Sequence, residues 1–138
     1  MTVLLDTNII MDALQERSPF DIEAKAILKR AQGSKEFTCL FTANAAEDIF
    51  YLYSKARDLK SARAVLYFML DNYTVVSVTH EDCKAAMSLS IADFEDALVA
   101  VCAKKAGADY IITRDDEFLK AALPVKLITP KEFAAMLS

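Results

Sequence analysis

The feature that most limits what this chain can become is the alternation in its last third. Asp93 opens a helical stretch that runs to about Ala106, Gly107 follows as a stop signal, and Tyr110–Ile112 is a short β-rich run. Asp115–Ala122 then reads as a short helix and Val125–Ile128 as another strand, after which Pro130 opens a final helix where its missing N–H costs little. Strands alternating with helices at this spacing are joined by right-handed crossovers, which implies a mostly parallel sheet covered on both faces. The rest of the chain fits that plan. Met1–Leu5 is an apolar run ending at a charge, as a buried parallel strand would be, and Phe37–Phe41 and Tyr73–Val76 are two more strands, making about five in all. Helical spacing marks Thr7–Leu14 and Phe20–Ala31, the latter through Ile22, Ala26 and Ile27 with Gly33 behind it. Asn44–Lys55 and Leu59–Leu70 are strong helices on either side of Arg57-Asp58, and Thr79 opens another with Asp82 three residues on, a variant of the capping box.

Composition narrows the class. A chain of 138 residues fits one domain, so residues 1–138 are read as a single unit. With 54% hydrophobic and 26% charged residues it is globular, not disordered. Two glycines and three prolines leave no room for a flexible linker. No apolar run approaches the ~20 residues that span a bilayer, and the N-terminus, with Asp6 inside its apolar stretch, is a poor signal peptide. Cys39, Cys83 and Cys102 are an odd, widely spaced set without metal-ligand spacing, so reduced thiols and a cytoplasmic location are expected. A net charge of −4 argues against a protein that coats nucleic acid broadly. It leaves open an enzyme whose carboxylates are neutralised by metal and whose grip on an anion is local.

The acids carry the chemistry. Asp6 ends the first strand, Asp115 follows the strand Tyr110–Ile112, Asp96 lies in the first turn of the helix opened by Asp93, and Glu47 and Asp48 lie near the start of the helix after the second strand. Strand ends and the helix starts that follow them share one edge of a parallel sheet, the edge where such sheets bind ligands. For Asp93 and Asp82 the plain reading as helix-start residues that complement the dipole is preferred. Asp6 resists that reading, because it interrupts an apolar strand and has no Lys or Arg nearby until Arg17. Two carboxylates ~4 Å apart repel by roughly 4 kcal/mol at an effective dielectric of 20. A divalent cation removes that cost, and oxygen-only ligands select Mg²⁺ or Mn²⁺ over zinc. His80, the single histidine, reads as a surface loop residue, and Cys102, among alanines and valines, as a buried inert thiol.

The stretches that carry these acids resemble a known family. LLDTNIIMD is similar to the opening of PIN domains, TANAAEDIFYL to their second acidic segment, DFEDALVAVCAKKAGADYIITRDDEF closely to their C-terminal half, and PKEFAAML to their closing helix, so the resemblance spans essentially the whole chain. It implies a three-layer α/β/α sandwich with a central parallel sheet, and Mg²⁺- or Mn²⁺-dependent hydrolysis of RNA. Carried over by position, Asp6, Asp96 and Asp115 match the family's acids, Asn8 the polar residue that orients Asp6, and Thr113 the hydroxyl that supports Asp115. The second acid is Asp48 by register and Glu47 by residue type; Asp48 is preferred because it sits beside Ile49 and Leu52 at the edge of the apolar face. Asp116 is a similar near-miss beside Asp115. The resemblance also implies a toxin whose acidic groove an antitoxin protein blocks.

Two surfaces complete the expectations. Lys55, Arg57, Lys60 and Arg63 gather around the junction of two helices and are candidates for RNA phosphates, against the plain reading as a solvated face. The aromatics of those helices, Phe50, Tyr51, Tyr53, Tyr67 and Phe68, are too spread for one core-facing stripe, which points to a homodimer or an antitoxin groove. The rival readings are a PIN-like module that binds RNA or protein without cutting, and a phosphate-accepting receiver. The first would have lost its acids, and the second carries a lysine after a late strand, where this chain has Thr129 and Pro130.

Overall fold

Val3, Leu4 and Leu5 are all buried, and they point alternately to the two faces of one strand. A strand buried on both faces must be central in a parallel sheet. The computed structural model, which describes residues 1–33 and 36–137, places it there. The elements run β1 (Thr2–Leu5), α1 (Thr7–Leu14), α2 (Asp21–Ala31), β2 (Thr38–Thr42), α3 (Ala43–Ala56), α4 (Leu59–Asn72), β3 (Thr74–Val76), α5 (His80–Met87), α6 (Phe94–Lys105), β4 (Tyr110–Ile112), α7 (Asp116–Leu119), β5 (Lys126–Ile128) and α8 (Pro130–Met136). The sheet has five strands in the order β3-β2-β1-β4-β5, and every pairing is parallel.

The pleat sorts the core into two layers. Val3, Leu5, Cys39, Phe41 and Ile112 face one side, where Ile9, Ile10, Ile27, Ile49, Met69 and Phe133 from α1, α2, α3, α4 and α8 cover them. Leu4, Leu40 and Ile111 face the other, against Val99, Cys102 and Ala103 of α6 and Phe118 of α7. The result is the three-layer α/β/α sandwich with a central parallel sheet that the resemblance implied. No helix among the described residues is long and apolar enough to cross a membrane.

The chain leaves β1 toward β2 and β3 on one side, then crosses to β4 and β5 on the other. The order therefore reverses between β1 and β4, and a crevice opens at their carboxyl ends. Two backbone bonds extend the ladder to that edge: Asp6 N–H donates to Ile112 O at 3.0 Å, and Thr113 N–H to Ile128 O at 3.1 Å.

Local signals in the sequence set most boundaries. Thr79 with Asp82 and Thr129 with Glu132 form full capping boxes, and Gly107, at φ 69°, ends α6 in the left-handed region that glycine favours. Two expectations fail. The buried face of α2 is Ala24, Ile27, Leu28 and Ala31, while Ile22 is 69% exposed and Ala26 is also exposed. The stripe that wins is the i, i+3, i+4, i+7 set facing α1 and α8. The helix expected over Asp115–Ala122 stops at Leu119, with Asp115 outside it as the cap. Pro124 biases the residue before it to an extended backbone and closes off any longer helix.

The closing helix is part of this core. Phe133 is fully buried, edge-on to Phe37 at 5.2 Å and tilted against Tyr110 at 6.1 Å. Phe133→Ala should therefore lower stability by about 3–5 kcal/mol in a denaturant titration. Met136→Ala, on the exposed side of the same helix, should stay within about 0.5 kcal/mol.

Candidate active site

Asp6 stands at the reversal point, 6% exposed, one residue past the end of the central strand. Burial pushes its carboxyl above the usual range, Asp115 and Asp93 push it further, and hydrogen bonds from Thr113 and the backbone N–H of Thr7 hold it down. The Thr113 hydroxyl, fully buried, donates to Asp6 Oδ2 at 2.8 Å and accepts the N–H of Asp115 at 3.1 Å. Thr113 thus joins the ends of β1 and β4 and supports the carboxylate of Asp6, whereas the sequence assigned it to Asp115. Asn8, expected to orient Asp6, is exposed on α1.

Asp93 and Asp115 are both helix caps as well as members of the rim. Asp93 accepts the N–H of Asp96 at 3.1 Å, and Asp115 accepts those of Glu117 at 3.0 Å and Phe118 at 3.4 Å. Capping turns the starts of α6 and α7 toward the same crevice. Asp96, 9% exposed, feels the consequence: burial first, then Asp93, Asp6, Asp115 and Glu95, push its carboxyl up to about 7.

The rim has a member the sequence reading missed. Glu95, beside Asp96 in the first turn of α6, is pushed up by burial and by Asp48, Asp6 and Asp93, with the Thr7 hydroxyl partly offsetting them. Its only signal in the sequence was adjacency to Asp96. Asp6, Asp96 and Asp115 come together, and Asp48 reaches them by way of Glu95. Asp48 is half-buried with its carboxyl raised by burial and by Glu47, while Glu47 and Asp116 are exposed.

A second omission lies just behind the rim. Asp12 on α1 is fully buried and accepts two bonds from Arg114, Nε at 2.7 Å and Nη2 at 3.1 Å, with Arg17 Nη1 at 3.7 Å. Arg114 sits between Thr113 and Asp115, so this bidentate pair ties α1 to the loop that carries both. Its partners are 102 residues apart in sequence.

Of the other candidates, Lys55 lies over the Tyr51 ring at 5.4 Å and is seven residues beyond Asp48, roughly 10 Å along the α3 axis. Arg57 and Lys60 are exposed at the α3–α4 junction. Arg63 instead lines an apolar groove with Phe50, Leu66, Tyr67 and Leu70. His80 is the exposed first residue of α5, not a loop residue. The three cysteines are free, and burial raises the Cys39 thiol to about 12 and raises the Cys102 thiol as well.

The donor chemistry of the rim fits a hard divalent cation: carboxylates only, partly dehydrated and repelling one another. Among the described residues no three His, Cys, Asp or Glu side chains are already gathered so as to hold an ion.

An open parallel α/β sheet with acids collected at its reversal point defines a class of protein that works at one edge of the sheet. Within it, the model of the PIN domain matches residues 2–117, and this chain belongs to that family. It is 25% identical to Ribonuclease VapC1 of Aquifex aeolicus (strain VF5), over 95% of this chain and 92% of the relative. Its fold is similar to that of VapBC2 from Rickettsia felis, solved bound to a DNA fragment from its promoter, with a TM-score of 0.70 at 19% identity, covering 94% of this chain and 98% of that one. It is also similar to Mycobacterium tuberculosis VapC20, described as a sarcin-ricin loop cleaving toxin, with a TM-score of 0.70 at 17% identity over 88% and 95% of the two chains.

The raised carboxyl of Asp96 has a sign that can be measured. Between its ordinary value of 3.8 and about 7 the folded chain keeps a proton that the unfolded chain has lost, so stability falls as pH rises through that window. In EDTA, Asp96→Asn should melt a few degrees above the parent once the pH exceeds 7, and the gap should close near pH 4. A variant that melts lower at high pH would mean that the favourable charge–dipole interaction at the α6 N-terminus, about 0.3–1 kcal/mol, outweighs the repulsion.

Proposed function

We propose that this protein is a divalent-metal-dependent ribonuclease that hydrolyses RNA phosphodiester bonds at the acidic rim, and that it is the toxin of a toxin–antitoxin pair. The observation that carries the reading is the convergence of Asp6, Glu95 and Asp115 on Asp96 at the reversal point of the sheet, where all three raise its carboxyl. Carboxylates kept together at such a cost imply a cation that offsets it. The relative named Ribonuclease VapC1 supports the activity. The similar folds solved as VapBC and as a toxin–antitoxin complex from Klebsiella pneumoniae support the setting.

Asp6, Asp48, Asp96 and Asp115 are the proposed ligands of Mg²⁺ or Mn²⁺, with Glu95 between Asp48 and the other three. When bound, the ion lowers the pKa of a water and offsets charge at the phosphate. The chain's own groups set the stage. Thr113 fixes the Asp6 carboxylate, Asp93 fixes the start of α6 under Asp96, and the N–H groups of Glu117 and Phe118 fix Asp115. Asp96, whose carboxyl burial and its acidic neighbours push up to about 7, would have to give up its proton to serve as a ligand. No protein nucleophile is needed, and the buried thiol of Cys102 supplies none. Lys55, Arg57 and Lys60 are exposed on the α3 side, where the groove that carries Asp48 has no lining cation, and they are not assigned to the RNA.

The partner surface follows from exposure. Tyr51, Leu59, Tyr67, Phe68 and Leu70 on α3 and α4 are 43–65% exposed, more apolar surface than a scattered set of side chains would present. We assign this face to a second copy of the chain or to the antitoxin.

EDTA should abolish RNA cleavage, and Mg²⁺ or Mn²⁺ should restore it; full activity persisting in EDTA would sink the mechanism. Sedimentation should show a dimer, or a complex with a co-expressed antitoxin, that Tyr67→Glu with Leu70→Glu disrupts. A strict monomer that takes up no protein would return the aromatic face to ordinary surface.

A further inference from the structure

Three grooves meet the acidic rim, and their charges differ in sign. The cleft between α6 and α7 is lined by Asp93, Asp96, Asp115 and Glu117, with Lys120 alone against them, and Lys120 already pairs with Glu117. The groove between α3 and α4 presents Glu47 and Asp48 and no cation. The groove between α2 and α8 is lined by Phe20, Glu23, Arg114, Thr129 and Lys131, with two cations against one carboxylate. An RNA strand carries a phosphate at every nucleotide, so the phosphates flanking a cut bond must run somewhere along this rim. Of these three grooves, only the one between α2 and α8 attracts them.

The groove is also built. Asp12, fully buried, takes the Nε and Nη2 edge of Arg114, whose side chain is still one-third exposed. The Arg114 guanidinium lies 4.1 Å from the centre of the Phe20 ring, which braces it from a second direction. Arg17, drawn to the same Asp12, sets two guanidinium groups against that single buried carboxylate. A guanidinium held this way has little rotamer freedom left to lose when it takes a phosphate. Phe20, 45% exposed, offers a ring to an unstacked base beside it. Arg114 follows Thr113 and precedes Asp115, and the charge of Asp6 acts on its guanidinium, so the groove lies beside the rim.

We propose that the groove between α2 and α8 holds the RNA strand flanking the cleaved bond, with Arg114 and Lys131 on its phosphates and Phe20 against a base. This rests on the ribonuclease reading for its biological sense, but its test is a binding measurement. A fluorescent single-stranded RNA is titrated in Mg²⁺ against protein carrying Asp96→Asn, so that the strand is held without being cut, over a range of KCl concentrations. Adding Lys131→Ala should weaken binding several-fold at low salt and reduce the slope of log affinity against log salt by about 0.7, one phosphate contact on a single strand. Phe20→Ala, which removes both the ring offered to a base and the brace on Arg114, should weaken binding roughly tenfold and lower the slope by no more than the one phosphate contact of Arg114. Lys84→Ala, the same charge change at an exposed position on α5, should do neither. A Lys131→Ala slope equal to that of Lys84→Ala, or no RNA binding by the parent, overturns the proposal. Cleavage by the wild-type chain is scored separately. A chain that cuts RNA but shows no Lys131 effect keeps the ribonuclease reading and loses this groove. A chain that shows the slope change without cutting does the reverse.

Discussion

A single hydroxyl holds the edge of this sheet together. Asp6 follows the central strand into a place where water scarcely reaches, and an unaided carboxylate there would be costly. Thr113 at the end of the neighbouring strand donates to it, and the same oxygen accepts the N–H of Asp115. One side chain therefore sets the spacing of two acids that lie 109 residues apart. The strand order makes this possible, because β1 and β4 are neighbours only where the sheet reverses direction. Had β4 been added outside β3, Thr113 would sit at the sheet's far edge and Asp6 would have no partner.

The Asp12–Arg114 pair is the second clamp at this edge. A buried ion pair is weak evidence for stability, since taking both charges out of water offsets much of their attraction. Its value here lies in geometry. A bidentate guanidinium fixes direction as well as distance, so α1, which begins directly after Asp6, and the loop that ends at Asp115 cannot slide past one another. The acids are thereby held in register from two sides, by Thr113 within the sheet and by Arg114 beneath it.

How much of this was legible depended on whether the cause was local. Caps and stops are written in a few adjacent residues, and Thr79 with Asp82, Asp93, Gly107 and Pro130 were all readable. Asp6 was readable because a charge inside an apolar run demands an explanation wherever the chain goes next. The buried face of α2 was not, because Ile22 and Ala26 offered one apolar stripe and Ala24, Ile27 and Leu28 another, and only the position of α8 decides between them. Nor was the role of Glu95, which stays exposed beside the buried Asp96 and joins the rim only through the charges of Asp48, Asp6 and Asp93 that the fold brings near it. Arg114 had no role legible in the sequence, because the buried carboxylate that holds it lies 102 residues away. Thr113 was recognised as a supporting hydroxyl, but the direction of its proton depends on which acid lies opposite, and that is a fact about strand order.

The same distinction between whole-chain and local quantities governs charge. A net charge of −4 describes the molecule at a distance, where salt screens it over about 8–10 Å. A strand lying on the surface feels the groups within that length and little else. On one side of the rim those groups are Asp93, Asp96, Asp115 and Glu117; on the other they are Arg114 and Lys131 with Glu23 beside them and the buried Asp12 behind. The boundary between the two regions falls between adjacent residues, Arg114 and Asp115. A phosphate placed there would meet the acids and whatever cation they hold on one flank and a braced guanidinium on the other. An acidic protein can therefore hold an anion without a broad basic face, because opposite charges are segregated within a few ångströms along one sheet edge. The rigid pairings behind that edge, Asp12 with Arg114 and Asp6 with Thr113, are what keep the segregation from collapsing into ordinary salt bridges between the two sides.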